Sequence, residues 1–193
     1  RRALPTGGTL KENYIFDEGA QDLFDQNTVK QTRFSELFAQ GKNSLIIYSF
    51  MYATDAEKPC PACTSILDSF NGIAPHVRDR VNFVVVAKSP IGKIRTWARG
   101  RDWKNLRLLS SANNTYNVDY FAEHEDWGQM PAINVFNKTE NGIHHFYNSE
   151  LLYAPSEEGQ HPRHADFVWP LWNMFDLTPE GRGTEWGPKY TYE

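Results

Sequence analysis

The sequence is poor in cysteine: its 193 residues include two, at positions 60 and 63. A secreted domain stapled by disulfides uses more cysteines and closes longer loops, so this close pair reads as chemistry before scaffold. Long apolar runs are also missing. None approaches the roughly 18 residues needed to cross a bilayer, and no charged-then-apolar leader opens the chain, so no membrane is expected as a partner. There is no basic surplus either. The formal charge is -4 with a pI near 5.9, and the Lys and Arg residues are scattered rather than striped, which excludes nucleic acid as a partner. Internal repeats and low-complexity segments are absent.

What is present suffices for one substantial core. Hydrophobic residues make up 40% and aromatics 14% of the chain, and the length calls for no second domain. A single domain is expected over residues 1–193, with an extended arm at 1–13 and a surface tail at 178–193. The chain opens at Arg1 without an initiating Met, leaving room for a removed upstream segment; the expected location is cytoplasmic.

The pattern along the chain alternates strands with helices. Residues 14–16 read as a short strand, and a short helix follows at 35–38, with Ser35 able to cap it and Gly41 to end it. The run Ser44 to Phe50 is almost continuously apolar, as expected of a central strand buried on both faces. Cys60 and Cys63 then open a helix, with Pro61 suited to its first turn and Ile66, Leu67, Phe70 and Ile73 at helical spacing. Further strands are expected at 81–87 and 106–109, and helices from Pro90 to Gly100 and around Tyr116 and Tyr120. A proline-led strand at 130–136 has its antiparallel mate at 143–148 across the Asn141-Gly142 turn. Residues 167–177 read as a closing helix that packs through Trp169, Trp172 and Phe175. This alternation predicts an α/β domain with a largely parallel sheet.

A dithiol at a helix start has a physical purpose. Unpaired N–H groups and the positive end of the helix dipole stabilise a thiolate, so the first cysteine becomes the nucleophile. Cys60 is assigned attack. Cys63, one turn later on the same face, is placed to resolve a mixed disulfide by attacking the Cys60 sulfur.

The order of strand, dithiol, helix and a later Pro-led strand with a hairpin partner resembles the thioredoxin fold. In that resemblance Met130-Pro131 looks like the fold's cis-proline, which implies that Pro131 lies beside the dithiol and orients an incoming disulfide. Pro61, Ala62, Met130 and Trp127 would then border the substrate. A closer resemblance covers nearly the whole chain. The passages SLIIYSFMY, CPACTS, NLRLLSSANNTYNVDY, GQMPAINVF, SELLYAP with HPRH, and WPLWNMFDLTPEGRG are similar to the thioredoxin-like domain-of-unknown-function family 899. Its members are described as dithiol-disulfide oxidoreductases without an established substrate, and often carry a helical segment ahead of RRALP. The resemblance implies an α/β thioredoxin-like fold, a central mixed sheet flanked by helices behind an N-terminal extension, no organic cofactor, and a thiol or disulfide partner, protein or small molecule. An exposed aromatic edge near the C-terminus could support a homodimer.

Two other chemistries compete. Cys60 and Cys63 with His161 and His164, or with the adjacent His144 and His145, could supply soft and imidazole ligands to zinc or copper. The histidines lie far along the chain, and His161-Pro162-Arg163-His164 sits in a polar loop. The nine residues 51–59 between strand and Cys60, with the early strand and helix, resemble peroxiredoxins and suggest a peroxide reductase. That family places Thr three residues before its reactive Cys, whereas Glu57 stands here and a carboxylate disfavours a nearby thiolate. Glu57 itself is expected to be a solvated loop charge, as is the run His124-Glu125-Asp126.

Overall fold

The computed structural model describes residues 2–149, 158–159 and 168–192. Its centre is β4 (Ser44–Phe50), whose apolar run alternates between two cores. Leu45 and Ile47 enter one core, while Ile46, Tyr48 and Phe50 face the other. Strand β5 (Asn82–Ala87) lies parallel beside it and divides the same way, with Val84 and Val86 joining Leu45 and Ile47, and Phe83, Val85 and Ala87 joining Tyr48 and Phe50. The continuous hydrophobic runs of both strands follow from this burial on two sides.

Around this pair an eight-stranded sheet forms in the order β1-β10-β9-β4-β5-β6-β2-β3. The added strands are β1 (Gly8–Thr9), β2 (Ile15–Gly19), β3 (Val29–Arg33), β6 (Leu108–Ser110), β9 (Ala132–Thr139) and β10 (Gly142–Asn148). The sheet is mixed, as the family resemblance implies, but it is not largely parallel. Among the described residues only β4–β5 and β5–β6 pair in parallel; β2 joins β6 antiparallel, as does β9 with β4. A sequence pattern records which residues alternate and not which strand lies alongside. A separate two-stranded ribbon consists of β7 (Glu123–His124) and β8 (Gly128–Gln129).

Helices α1 (Pro61–Arg80), α2 (Ile91–Gly100) and α4 (Pro170–Phe175) cover one face of the sheet. Along α1 the buried stripe is Cys63, Ile66, Leu67, Phe70 and Ala74; Ile73, expected in it, is 46% exposed. Pro75 lies inside α1 and offers no N–H to the carbonyl of Asn71. The Asn105 side-chain amide donates to that carbonyl instead, at 3.0 Å. The other face is covered by Tyr14, Phe16, a 3-10 turn at Phe34–Leu37, and α3 (Tyr116–Asp119). Ser35 does not cap that turn. Glu36 accepts the Arg33 N–H at 2.8 Å, and the Ser35 N–H goes to Asn13.

The two ends of the chain are more engaged than expected. Within the 1–13 arm, Gly8–Thr9 forms an edge strand on β10. The tail is pinned as well, since Trp186 packs edge-on against Trp172 and Phe175, and Arg182 is buried in a bidentate pair with Asp176. The C-terminal aromatics Trp169 and Trp172 therefore turn inward, and among the described residues the exposed aromatic edge is reduced to Tyr192. Among the described residues no helix is long and apolar enough to cross a membrane.

Candidate active site at the start of α1

Strand β4 carries the chain to one end of the sheet, and the 51–59 loop returns it to the start of α1. This loop is a fixed structure. Tyr52 and Ala53 carbonyls accept the Ser89 N–H and hydroxyl at 2.9 and 2.7 Å, Lys93 donates to the Thr54 carbonyl at 2.9 Å, and the Cys60 N–H returns to Met51 at 3.0 Å. Ser89 thus ties the loop to the β5–α2 connection, and Pro90, expected as the first helical residue, stands at the cap position of α2.

Cys60 is the N-cap of α1 and Pro61 its first residue. The Cys60 sulfur accepts the Cys63 N–H at 3.5 Å, while the Cys60 carbonyl takes both the N–H and the hydroxyl of Thr64 at 3.0 Å. One turn of helix therefore divides the thiols. Cys60 and its neighbours Pro61 and Ala62 are half-exposed, and Cys63 is 3% exposed.

Their protonation follows from that division. A hydrogen bond from the Cys63 thiol, joined by the N–H groups of Cys63 and Ala62, brings Cys60 down from 9.0 to about 6 against the opposing effect of burial. Burial, the hydrogen bond given to Cys60 and the Cys60 charge all push Cys63 well up. At neutral pH the pair shares one proton, held on Cys63.

Tyr48 on β4 completes the arrangement, a residue that the apolar pattern marked only as core. Its ring meets Phe70 edge-on at 5.4 Å beneath the stripe that begins at Cys63. The hydroxyl is wholly buried, meets no nitrogen or oxygen partner among the described residues, and lies against the Cys63 sulfur. Burial first, then the Cys63 and Cys60 sulfurs, push it well above its ordinary value, while Tyr48 in turn lowers Cys63. A tyrosine in an otherwise apolar strand, on the same face as Phe50 near the strand end, was the signal available in the sequence. Tyr190 is the second unforeseen neighbour. Its hydroxyl donates to the Pro59 carbonyl, its ring meets Trp97 at 5.2 Å, and Arg101 holds its carbonyl at 2.6 Å. Nothing in a Gly- and Pro-rich tail announces that contact.

Pro131 arrives from the other side. Ala132 pairs with Ser49, so continuing the antiparallel register sets Pro131 abreast of Phe50 and Met130 abreast of Met51, the residue that holds the Cys60 N–H. The Met130–Pro131 peptide is trans, contrary to the expected cis bond. Trans is the lower-energy isomer by about 0.5–1 kcal/mol, and the Met130 N–H tied to Ala122 at 2.9 Å feeds an extended chain into β9. Trp127 stands at the tip of the β7–β8 ribbon, 63% exposed and stacked on His124 at 4.4 Å. Glu57 is exposed, as expected, and lines a cavity of about 520 Å³ with Tyr52, Lys93, Trp97 and Tyr190.

The metal alternative divides into two cases. His161 and His164 lie outside the described residues. His144 and His145 are on β10, where His145 packs against Tyr120 and Phe136 on the sheet face opposite Cys63 and meets Asn134 at 2.8 Å. The fold therefore does not bring that histidine to the dithiol. Among the described residues no three His, Cys, Asp or Glu side chains converge.

Against known proteins, residues 1–192 match the profile of a family described as "Bacterial protein of unknown function (DUF899)". No curated protein sequence matches. Similar solved structures include the reduced 2-Cys peroxiredoxin of Plasmodium vivax, 16% identical with a TM-score of 0.53, covering 75% of this chain and 84% of that one. Reduced Prx3 of Vibrio vulnificus in complex with H2O2 is 10% identical with a TM-score of 0.54, covering 87% and 98%. A mutant of PrxQ from Xylella fastidiosa is 14% identical with a TM-score of 0.53, covering 75% and 84%. At these identities the likeness is one of fold, and it places the chain in the thioredoxin-like α/β class.

Proposed function

Because the chain belongs to the bacterial family of unknown function DUF899 and carries its dithiol at the start of α1, we propose that it is a thiol-disulfide oxidoreductase in which Cys60 attacks and Cys63 resolves. The observation that carries this reading is the split between the thiols, with Cys60 half-exposed and down to about 6 and Cys63 buried and held protonated.

The Cys60 thiolate attacks one sulfur of a disulfide. A Cys60–substrate S–S bond forms, the substrate S–S bond breaks, and the departing thiolate takes a proton from solvent. Cys60 then bears no charge, so the charge and hydrogen bond that hold the Cys63 proton are lost. Cys63 gives up its proton to solvent and attacks the Cys60 sulfur, with the buried Tyr48 hydroxyl as hydrogen-bond donor to the developing thiolate. The second substrate thiolate leaves. The substrate has gained two electrons and the protein holds a Cys60–Cys63 disulfide; the reverse sequence oxidises a dithiol. Pro61 and Ala62, next to Cys60 in the chain, are assigned the surface for the substrate together with Met130 and Pro131, with Trp127 at its margin. The partner is a thiol or disulfide, on a protein or a small molecule, and no resident metal or organic cofactor takes part in these steps.

The test uses a small aromatic disulfide as substrate. Cys63→Ser should accumulate a stable mixed disulfide on Cys60, and Cys60→Ser should lose turnover; full turnover by Cys60→Ser would sink the proposal. Hydrogen peroxide supplies the competing arm. If it oxidises Cys60 faster than disulfides do, peroxide reduction replaces disulfide exchange as the reading.

A further inference from the structure

A second site lies at the other end of the sheet. Residues from β2, β3, α1, α2 and β6 enclose a cavity of about 430 Å³ whose lining includes Lys30, Arg78, Arg95, Lys104 and Arg107 against a single carboxylate, Glu18. This concentration is an effect of arrangement, since the whole chain carries a formal charge of -4. Arg78 stands 18 residues after Cys60, so the helical rise of about 1.5 Å per residue separates the two sites by roughly 27 Å.

The single carboxylate is already occupied. Glu18 is bidentate to Arg107 at 2.8 and 3.0 Å, accepts from Thr32 at 2.7 Å, and has Lys30 at 3.6 Å. Arg95, Arg78 and Lys104 are compensated less closely: among the described residues none of them has a bidentate carboxylate. Arg95 is 5% exposed, and its guanidinium donates only to the backbone carbonyls of Ala20, Asp22 and Asp25. The Asp22 and Asp25 carboxylates turn instead to N–H groups of their own loop, at Phe24, Asn27 and Thr28. Burial first, then Arg99 beside it, push the Arg95 pKa down, and the nearby Asp25 and Asp22 charges offset this only in part. Arg78 spends one nitrogen on the Asn105 carbonyl at 3.2 Å and pairs with no carboxylate among the described residues. Lys104 has only Asp102, at 3.3 Å on open surface, a contact of little energetic weight. The seat for Arg95 is shaped into the backbone, because a Cβ on Gly19 would come within 2.5 Å of its side chain.

We propose that this cavity binds a small polyanion, a phosphate-bearing or polycarboxylate molecule with two or more negative charges. Arg78, Lys104 and Lys30 present donors to it, while Arg95 and Arg107 act as fixed charges behind them. Clustered cations over partly desolvated walls focus the field on such an anion, and guanidinium matches either oxyanion geometry. The site is independent of the dithiol and does not rest on the function proposed above.

Calorimetric titration of the full chain with pyrophosphate, and separately with citrate, decides it. At least one probe should bind saturably, weaken as salt is added, and bind about tenfold more weakly to Arg78→Gln/Lys104→Gln, the effect of removing roughly 1.4 kcal/mol. Cys60 alkylation should be unchanged in the same variant. Binding of pyrophosphate alone assigns phosphate chemistry, and binding of citrate alone assigns polycarboxylate chemistry. Arg78 also supports the Asn105 carbonyl, so the exposed single change Lys104→Gln guards against misfolding and should weaken binding in the same direction. No saturable binding of either probe, or affinities that neither variant lowers, would overturn the proposal.

Discussion

The two faces of the central sheet are packed by different means. Opposite the dithiol, Tyr14, Phe16, Phe34, Tyr116, Tyr120 and Phe136 form a lattice of rings, with Phe34 and Phe136 edge-on at 4.7 Å and Tyr120 and Phe136 at 5.0 Å. Of the polar tips there, Tyr14 donates to Asp119 at 2.9 Å and the Tyr120 hydroxyl accepts the Lys11 N–H at 3.1 Å, while the Tyr116 hydroxyl is buried without a hydrogen-bond partner among the described residues. On the α1 face aliphatic residues of α1, α2 and β5 mix with rings such as Phe50, Phe70 and Trp103, and the core encloses Cys63 with the Tyr48 hydroxyl against it at the end where β4 leads to the helix. A buried hydroxyl without a partner costs stability. Both faces thus bury a tyrosine hydroxyl, but that of Tyr48 lies beside the dithiol, where a Cys63 thiolate formed in the proposed reaction would supply a strong acceptor.

Three measurements can break or sharpen that contrast. The largest effect is expected from Phe34→Ala, which removes a fully buried ring from the scaffold face and should cost about 3–5 kcal/mol in denaturant unfolding. The alkylation midpoint of Cys60 should not move, and a shift comparable with that in a dithiol-face variant would show that the faces are not separable.

Next in size is the pH response of the reduced protein. Cys60 alkylation should rise with a midpoint near pH 6, where an ordinary thiol at 9.0 would scarcely react. Linkage gives a matching stability change. The folded pKa is depressed, so the stabilisation is full above about 9 and is lost as pH falls through about 6. Cys63 acts oppositely but only above the ordinary thiol range, because its folded pKa is raised. Stability measured between pH 6 and 9 should therefore climb in the wild type and lose that climb in Cys60→Ser; an equal climb in both would refute the assignment.

The smallest effect is expected from Tyr48→Phe, which keeps the ring on Phe70 and deletes the hydroxyl. Mixed-disulfide formation on Cys60 should keep its rate, while resolution by Cys63 should slow about tenfold, in line with a charge-assisted hydrogen bond of about 1.5–3 kcal/mol. Stopped-flow release of the two substrate thiols separates the steps, and an unchanged second release would remove Tyr48 from the mechanism.

Sequence spacing was enough to set Cys60 and Cys63 at the start of a helix, because a helix start has the same unpaired N–H groups wherever it is placed. It was enough for β4, β5 and α1 as well, whose apolar runs and helical spacing are local. Ile73 shows the limit even there, since helical spacing allows several stripes and only the sheet beneath selects Ala74 over it. The antiparallel attachment of β2 to β6, the trans bond before Pro131, the inward turn of the C-terminal tryptophans and the Tyr190 contact with Pro59 join residues that no local pattern relates.

By itself, then, the sequence determined a dithiol set at the N-terminus of a helix behind a buried strand, because that chemistry resides in neighbours three residues apart. Only the tertiary structure decided that Tyr48 lies beneath Cys63, and that cations from positions 30, 78, 95, 104 and 107 surround one cavity. Both depend on contacts between distant segments, which strand order and helix packing set and which a linear pattern of residues does not encode.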